Sequence, residues 1–354
     1  MWGCLVALVG LFFLVRWYRE RQVVSQLQDK YVFITGCDSG FGNLLARQLD
    51  MRGLRVLAAC LTEKGAKQLR RQTSDRAETV ILDVTQTESI TAAAQWVKEC
   101  VEDRGDTCHS VAHLVGMNWN PSKVGNAQAP PRVALSLSLS PGLWGLVNNA
   151  GILGYLVSNQ WLTKQDFVDV LNVNLLGMIE VTLSLLPLVR KARGRVVNIS
   201  SVMGRVAMFG GGYSISKYGL EAFSDSLRRE LLPFDVKVAM IEPGFFQTNL
   251  VDKERLACSI EEAWDHASPE VKELYGLEFL EVYQKLPEEF KPPVRQDLSL
   301  VTDCMEHALT ARHPRTRYSP GWDAKFFYLP LSYMPTCLVD AMVSWLGPKP
   351  AKAL

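Results

Sequence analysis

The sequence predicts an α/β fold in which helices cover both faces of a doubly wound parallel sheet. From Lys30 onward, short β-branched runs alternate with longer stretches whose apolar residues follow helical spacing. The runs are almost wholly apolar, as expected for strands covered on both faces. The polar and glycine-rich motifs lie at the ends of these runs or in the helix that follows, near the edge where such sheets bind ligands. The six runs are YVFITG, LRVLAAC, TVILDV, LWGLVNNAG, GRVVNIS and VKVAMIEPG.

Composition and charge exclude several classes of partner. The chain has 354 residues and a formal net charge of +1, without a basic patch interleaved with aromatics, so we expect no nucleic-acid partner. Its eight cysteines are scattered without a CxxC pair, which indicates reduced thiols in a cytosolic environment. His109 and His113 lie four positions apart in a stretch without helical pattern, so we expect no metal site.

Residues 1–18 are predicted to form a membrane anchor. Residues 1–15 are almost wholly apolar, and Trp17 and Tyr18 follow where an interfacial aromatic belt would lie. The run is shorter than the ~20 residues of a comfortable span, so a cleaved signal peptide and a buried core helix are the alternatives. Its charges follow the run, and no small-residue cleavage site ends it, which argues against cleavage. Three arginines behind the run favour a cytosolic body.

A second apolar stretch covers residues 326–346. Pro330, Pro335 and Asp340 interrupt it, which argues against an uninterrupted membrane-spanning helix. We interpret it as a membrane-associated or substrate-covering segment, with ordinary core packing as an equal alternative.

A glycine-rich loop separates the first predicted strand from the first predicted helix of the sheet. Glycines permit a tight turn and let backbone N–H groups approach a pyrophosphate, while the helix N-terminus adds partial positive charge. The setting between strand and helix therefore indicates a dinucleotide-binding loop. The candidate cofactor-binding residues of this loop are Thr35, Gly36, Asp38, Ser39, Gly40, Phe41 and Gly42.

Tyr213 and Lys217 form a candidate acid–base pair. They are four residues apart, and hence on one face of a predicted helix. A phenol with a pKa near ~10 is a poor base at neutral pH, and we expect the adjacent ammonium to lower the pKa of Tyr213. The same spacing also occurs in solvated surface pairs. Ser200 and Ser201, at the end of the fifth strand, favour the catalytic interpretation, because a serine there can hold a reacting oxygen.

The loop spacing Gly-x-x-x-Gly-x-Gly, with Asn-Asn-Ala-Gly after the fourth strand and Pro-Gly after the sixth, resembles the short-chain dehydrogenase/reductase family. The resemblance implies a Rossmann-type fold and a nicotinamide cofactor. Beyond the glycine loop, it implies these cofactor-binding residues: Asp83 for adenine, Asn149, Ala150 and Gly151 after the fourth strand, Lys217, Pro243 and Gly244 beside the nicotinamide, and Thr248 for its carboxamide.

The same resemblance implies the catalytic roles. Ser201 holds the reacting oxygen, with Ser200 as the alternative, and Tyr213 moves its proton while hydride passes to or from the nicotinamide. Asn174, in the segment LNVNLLG, holds a water that links Lys217 to solvent.

The choice between the two nicotinamide cofactors depends on the end of the second strand. Neither an acidic residue nor an arginine stands at Cys60. Asp38 would repel a 2′-phosphate, which favours NAD, although Lys64 nearby could serve NADP.

Several longer stretches resemble the microsomal retinol and 3α-hydroxysteroid dehydrogenase branch of this family: WYRERQ, DKYVFITGCDSGFG, LAACLTEKGA, FSDSLRREL, IEPGFF and HPRTRYSPGWDAK. The resemblance implies an endoplasmic-reticulum enzyme that oxidises retinol and 3α-hydroxysteroids such as androsterone and androstanediol. An NADPH-dependent lipid carbonyl reductase and a catalytically silent lipid-binding protein are the alternatives.

The catalytic domain is predicted to cover residues 30–320, and residues 245–312 within it are expected to cover the substrate. Residues 105–141 depart from the family pattern, since they lie between a helix ending near Arg104 and the strand beginning at Leu143, where a short turn is expected. Loops beyond ~15 residues are uncommon in compact domains, so we predict a disordered insertion. A connection from a helix into a strand lies at the amino edge of the sheet, away from the predicted site.

Overall fold

A computed structural model describes residues 10–11, 14–102, 142–289, 295–346 and 349–352. The predicted insertion at residues 105–141 lies outside the described residues, as does most of the predicted anchor. Residues 14–20 are helical, and Leu14, Trp17 and Tyr18 are exposed on this helix.

Seven parallel strands form a single sheet, in the order β3-β2-β1-β4-β5-β6-β7. The strands are β1 (Tyr31–Ile34), β2 (Arg55–Cys60), β3 (Ala77–Ile81), β4 (Gly145–Asn148), β5 (Arg195–Ile199), β6 (Lys237–Ile241) and β7 (Arg317–Tyr318). The six predicted strands and the parallel α/β class are thereby confirmed. Strand β7 was not predicted, because two residues in the segment RTRYSP carry no periodic signal.

Helices connect the strands and continue beyond β6. They are α1 (Gly40–Met51), α2 (Glu63–Arg70), α3 (Thr87–Glu102), α4 (Lys164–Leu171), α5 (Met178–Lys191), α6 (Gly212–Glu230), α7 (Lys253–His266), α8 (Pro269–Tyr275), α9 (Leu277–Glu289), α10 (Ser299–Thr310), α11 (Leu329–Leu331) and α12 (Thr336–Leu346). Two π-helical turns, Asn172–Gly177 and Ala324–Tyr328, lead into α5 and α11.

Apolar side chains pack on both faces of the sheet. On one face, Leu45 of α1 and Met305 of α10 lie in a cluster with strand residues such as Val32. On the other face, Val97 of α3 and Leu185 of α5 pack with Phe33 and its neighbours. Because the strands are covered on both sides, apolar residues can occupy successive positions, as the sequence pattern indicated.

The strand order reverses between β1 and β4, which opens a crevice at the carboxyl edge of the sheet. Strand β1 pairs with β2 on one side and with β4 on the other. Beyond β1, the backbone N–H of Thr35 donates to Val147 O at 3.0 Å. The glycine loop therefore begins at this reversal point.

Two apolar helical stretches among the described residues are long enough to cross a membrane by length and composition alone. One is continuous, Lys164–Lys191, but Val181 and Leu185 within it are buried in the core of the domain. The other consists of Ala324–Leu331 and Thr336–Trp345, which meet at an angle of 117°. The second stretch is thus a bent surface segment, half of which packs on the domain.

Candidate active site

The glycine loop turns sharply between β1 and α1. Gly36 has φ of 70°, and a Cβ placed on it would lie 2.8 Å from Ala150 Cα, so a side chain at this position would strain the turn and clash. Ser39 precedes the first residue of α1, and the ring of Phe41 packs edge-on against Phe246 with centroids 5.8 Å apart. The helix N-terminus thereby faces the crevice at the carboxyl edge of the sheet.

Hydrogen bonds join this loop to the segment after β4. Thr35 Oγ1 accepts from the backbone N–H groups of Asn149 and Ala150, both at 3.0 Å. The Asn149 amide in turn donates to Thr35 O at 2.9 Å and to Gly36 O at 3.0 Å. Gly42 also lies against the Asn149 side chain. The structure therefore brings two motifs, separated by more than 100 residues in sequence, into one cradle.

Asp38 reaches the carboxyl end of β2. Its carboxylate accepts from Leu61 N at 2.7 Å, from Thr62 N at 3.0 Å and from Thr62 Oγ1 at 2.7 Å. An acidic group therefore stands at the end of β2 although no acidic residue occupies that position in sequence. The sequence interpretation missed this contact, because it spans more than 20 residues and leaves no local pattern.

Asp83 lies after β3, near the end of β2, since the neighbouring Leu82 N–H donates to Cys60 O at 2.9 Å. Its Oδ1 accepts from Thr85 N at 2.9 Å and from Thr85 Oγ1 at 2.7 Å, which holds its carboxylate in place. Asp38 and Asp83 thus belong to adjacent strand ends on one side of the crevice.

Pro243 and Gly244 follow β6 and contact the segment after β5. Pro243 O accepts from Val202 N at 3.0 Å, and Gly244 N donates to Pro320 O at 3.2 Å. The Thr248 side chain lies beside the glycine loop, 3.8 Å from the position that a Cβ on Gly40 would take. The motifs after β1, β4 and β6 therefore enclose one space.

Tyr213 and Lys217 lie on the same face of α6, at the edge of this space. Lys217 Nζ lies 5.6 Å from the centre of the Tyr213 ring and donates to Ile199 O at 2.8 Å. Ser201 is the serine beside the Tyr213 hydroxyl, and its Oγ also accepts from Met203 N at 3.2 Å. Ser200, the alternative, lies beside Gly204 and Glu221 instead.

Burial governs the ionisation of this pair. It raises the pKa of Tyr213, and the hydrogen bond with Ser201 only partly opposes this. Burial also lowers the pKa of Lys217 to about 8, although Glu221 acts in the opposite direction. The pKa of Tyr213 is thus raised in the protein by itself, where a lowered pKa was expected, because burial outweighs the hydrogen bond with Ser201.

Asn174 is buried in the π-helical turn Asn172–Gly177. Its Nδ2 donates to Ile152 O at 2.8 Å and to Ser216 Oγ at 3.1 Å, and its Oδ1 accepts from Ile152 N at 2.8 Å. Gly151 packs against the same side chain. Ser216, which the sequence interpretation missed, continues this chain of bonds by donating to Tyr213 O at 2.6 Å. The Asn174 side chain thus ties the loop after β4 to the helix that carries Tyr213.

Apolar side chains surround the Tyr213 ring. Val202, Met203, Ala324 and Tyr328 form a buried cluster against which Tyr213 packs. The other side chains in this cluster are Met208, Phe209 and Phe245. Residues that precede α6 and residues after β7 therefore line the site, in addition to the segment after β6 that the sequence indicated.

Among the described residues, no group of three or more His, Cys, Asp or Glu side chains is arranged to hold a metal ion. The six cysteines within those ranges form no disulfide bonds, and Cys37, Cys60 and Cys100 are buried.

A glycine loop at the reversal point of a parallel sheet, with a tyrosine and a lysine beside it, defines a dinucleotide-binding oxidoreductase. The family model for "short chain dehydrogenase" matches residues 30–109 and 133–258, and the chain belongs to that family. It is accordingly an NAD(P)-dependent dehydrogenase of the short-chain type.

The chain is similar to curated proteins over its whole length. It is 64% identical to retinol dehydrogenase 16 of Homo sapiens and 65% identical to retinol dehydrogenase 7 of Mus musculus, with 100% of both chains covered in each case. It is 56% identical to 17-beta-hydroxysteroid dehydrogenase type 6 of Homo sapiens, again with 100% of both chains covered.

Solved structures share the fold at lower identity. A levodione reductase matches with a TM-score of 0.61 at 19% identity, over 85% of this chain and 100% of that chain. A short-chain dehydrogenase from Streptomyces avermitilis matches with a TM-score of 0.60 at 24% identity, over 90% of this chain and 95% of that chain.

Proposed function

We propose that this protein transfers hydride between NAD and the hydroxyl or carbonyl group of a lipophilic alcohol, with all-trans-retinol and 3α-hydroxysteroids such as androsterone and androstanediol as its substrates. The observation that carries the proposal is the position of Tyr213, with Ser201 and Lys217 beside it, in an apolar cluster next to the glycine loop. The names of the similar proteins, two retinol dehydrogenases and a hydroxysteroid dehydrogenase, support this choice of substrates.

The proposed chemistry assigns a role to each polar side chain. In the oxidation direction, Tyr213 accepts the hydroxyl proton of the alcohol through its phenol oxygen while Ser201 holds the same substrate oxygen by a hydrogen bond. A bound oxidised nicotinamide supplies the acceptor for the hydride that leaves the carbinol carbon. Lys217 stabilises the phenolate by its charge, and Asn174 fixes the loop and helix on either side of the site.

The cradle fits a dinucleotide. The tight turn at Gly36 on Ala150 and the close approach of Gly42 to Asn149 place the start of α1 at the crevice, and a helix N-terminus there favours a pyrophosphate. The proposed binding residues are Thr35, Gly36, Asp38, Ser39, Gly40, Phe41, Gly42, Asp83, Asn149, Ala150, Gly151, Lys217, Pro243, Gly244 and Thr248.

The position of Asp38 favours NAD over NADP. Its carboxylate stands at the end of β2, where the fold holds the adenosine ribose, and it would repel a 2′-phosphate. Lys64, exposed in the first turn of α2, is the residue that an NADP-dependent reductase would use instead.

The proposed location is the endoplasmic-reticulum membrane, with residues 30–320 as a cytosolic catalytic domain and residues 1–18 as the anchor. Exposed aromatic residues support a second membrane contact in residues 326–346: Phe326 is 77% exposed, Tyr333 76% and Trp345 84%. Large exposed aromatics clustered on one segment are characteristic of membrane or partner contacts.

The decisive test is a product assay on membranes that contain the protein, with NAD or NADP and a panel of retinol, androsterone and androstanediol. We expect the corresponding aldehyde or ketone, formed faster with NAD, and a loss of at least about 100-fold in Tyr213→Phe. Quenching of the protein fluorescence by NADH without any product would instead identify a lipid-binding protein. Faster reduction of the aldehyde or ketone with NADPH would identify a carbonyl reductase. Unchanged turnover in Tyr213→Phe would exclude the proposed mechanism.

A further inference from the structure

A buried carboxylate lies one helical turn after Lys217 on α6. Glu221 is only 7% exposed, yet none of the proposed steps uses it. Residues four apart on a helix lie on the same face, so Glu221 lies one turn from Lys217 in the interior, and its carboxylate acts on the Lys217 ammonium by charge without a direct ion pair. A buried charge next to a functional lysine requires an explanation, because burial of an ion is costly unless a partner compensates it.

Arg317 of β7 fixes this carboxylate from the opposite side. Its Nη1 donates to Glu221 Oε2 and to Glu242 Oε1, the latter at 2.8 Å, and its Nη2 donates to Asp225 Oδ2 at 3.0 Å. Arg205 also pairs with Glu242, at 3.4 Å. One guanidinium therefore holds three carboxylates, and it fixes Glu221 by a contact that spans 96 residues.

The turn that contains Gly204 packs closely against Glu221. A Cβ on Gly204 would lie 2.8 Å from Ser200 Oγ and 3.1 Å from both Glu221 Cγ and Lys217 O. The short turn Val202–Gly204 therefore rests directly on α6 at the level of Lys217 and Glu221, and Gly204 permits this approach because it has no side chain.

The groups around Lys217 differ in charge. Ile199 O accepts from its Nζ, and Tyr213 lies on its other side. Ser200, Ser201 and Asn174, on the elements packed against α6, are uncharged. Burial lowers the pKa of Lys217 to about 8, and Glu221 raises it. Glu221 is thus the carboxylate whose field acts on this lysine among the described residues, whereas Arg205, Asp225, Glu242 and Arg317 surround Glu221 itself.

We propose that Glu221, fixed by Arg317, is a positioning residue that keeps the buried Lys217 ammonium charged beside Tyr213. The inference rests on the proposed function, since it assigns Glu221 a role in the same proton transfer. It extends the site from the tyrosine and lysine to strand β7, which carries the arginine.

The expected consequence has a definite sign. Without the negative charge of Glu221, the pKa of Lys217 falls below about 8, and the ammonium loses its proton at a lower pH. The Tyr213 phenolate then loses its stabilising cation within the physiological range. For Glu221→Gln, the alkaline limb of kcat for alcohol oxidation should move down by about one pH unit, with a fall of about tenfold at pH 8.

Asp225→Asn provides a matched control. Asp225 lies one turn further along the same helix and binds the same arginine, but it does not border Lys217. A purely structural role of the cluster predicts that both variants lower the melting temperature and leave the pH profile in place. A shifted limb in Glu221→Gln alone, restored in Glu221→Asp, supports the proposal. An unshifted limb in Glu221→Gln overturns it.

NADH binding gives a second readout that does not depend on turnover. Lys217 is one of the proposed cofactor-binding residues, so the affinity for NADH should decline at a lower pH in Glu221→Gln than in the wild type, as measured by fluorescence titration. If the wild-type protein binds NADH but oxidises none of the alcohols, the proposed function is refuted. The NADH titration would still test the effect of Glu221 on Lys217. Identical pH dependence of NADH affinity in both proteins would refute the role of Glu221.

Discussion

The carboxylate of Asp38 accepts a hydrogen bond from the backbone N–H of Thr62 at 3.0 Å, so that a residue of the glycine loop closes the end of strand β2. The contact places a negative charge where the fold receives the adenosine ribose. It also explains the glycine at position 65, because a Cβ there would collide with the Asp38 carboxylate.

We predict that Asp38→Asn narrows the preference for NAD. Removal of the charge takes away the repulsion of a 2′-phosphate, which amounts to about 1 kcal/mol, so the KM for NADP should fall about fivefold. The amide oxygen can still accept from Thr62, but the amide nitrogen cannot accept from Leu61 N, so stability should fall by about 1–2 kcal/mol. The measurement is kcat/KM with each cofactor. An unchanged ratio would show that Asp38 has no part in the selection.

We predict that Lys217→Met is inactive but more stable than the wild type. The pKa of Lys217 falls from 10.5 in the unfolded chain to about 8 in the folded protein. Between these values the unfolded chain holds a proton that the folded protein lacks, so stability rises with pH through this window. Below pH 8 the charged lysine costs the fold about 3 kcal/mol, and its bond to Ile199 O recovers part of that cost.

Thermal unfolding at several pH values tests this prediction. Lys217→Met should melt about 2–4 °C above the wild type at neutral pH, and the difference should shrink as the pH rises toward 10.5. Lys67→Met, at an exposed position of α2, should leave the melting temperature unchanged. A lower melting temperature for Lys217→Met at neutral pH would contradict the assignment of a costly buried charge.

We predict that removal of residues 105–141 preserves the fold and the activity. Val101 of α3 and Leu143 before β4 are both buried in the same apolar cluster, so the two flanks of the segment lie in the core at the amino edge of the sheet. The Tyr213 site lies at the opposite edge. Turnover of retinol should therefore stay within about twofold of that of the full chain, and the melting temperature should stay within a few degrees. Turnover in the deleted form alone would mean that the segment disrupts the enzyme.

We predict that residues 326–346 contact lipid. Reconstitution of the full chain in phospholipid vesicles should slow amide hydrogen exchange in this segment by about tenfold, because lipid excludes water from the exposed aromatic side chains. Helix α2, at the distant β3 edge of the sheet, serves as the internal reference and should exchange at the same rate with and without vesicles. If vesicles leave the exchange rates of residues 326–346 unchanged, as in helix α2, this segment is ordinary protein surface.

Local patterns predicted most of the scaffold. The apolar runs predicted six strands. The glycines and asparagines directly after these runs predicted the cofactor-binding loops. Strand β7 was not predicted, because Arg317 and Tyr318 pair with β6, which is distant in sequence, and leave no local pattern. The Asp38 contact with β2 was missed for the same reason.

The electrostatics of the site was less predictable than its residues. Tyr213 and Lys217 were identified by their spacing, but the raised pKa of Tyr213 depends on how deeply the folded chain buries the phenol. Ser216 and Glu221 carry no motif of their own, and only the packing of α6 brings them to Asn174 and Arg317. A sequence specifies which groups are available, whereas burial determines their charge.

The bent segment after β7 has a kinetic consequence. Tyr328 in its first half packs in the cluster around Tyr213, and its second half turns by 117° into exposed aromatic surface. In the proposed membrane orientation, an alcohol dissolved in the bilayer reaches the site by lateral diffusion without entering water. The rate should then follow the mole fraction of substrate in the lipid, and added inert phospholipid should slow turnover at a constant total amount of alcohol.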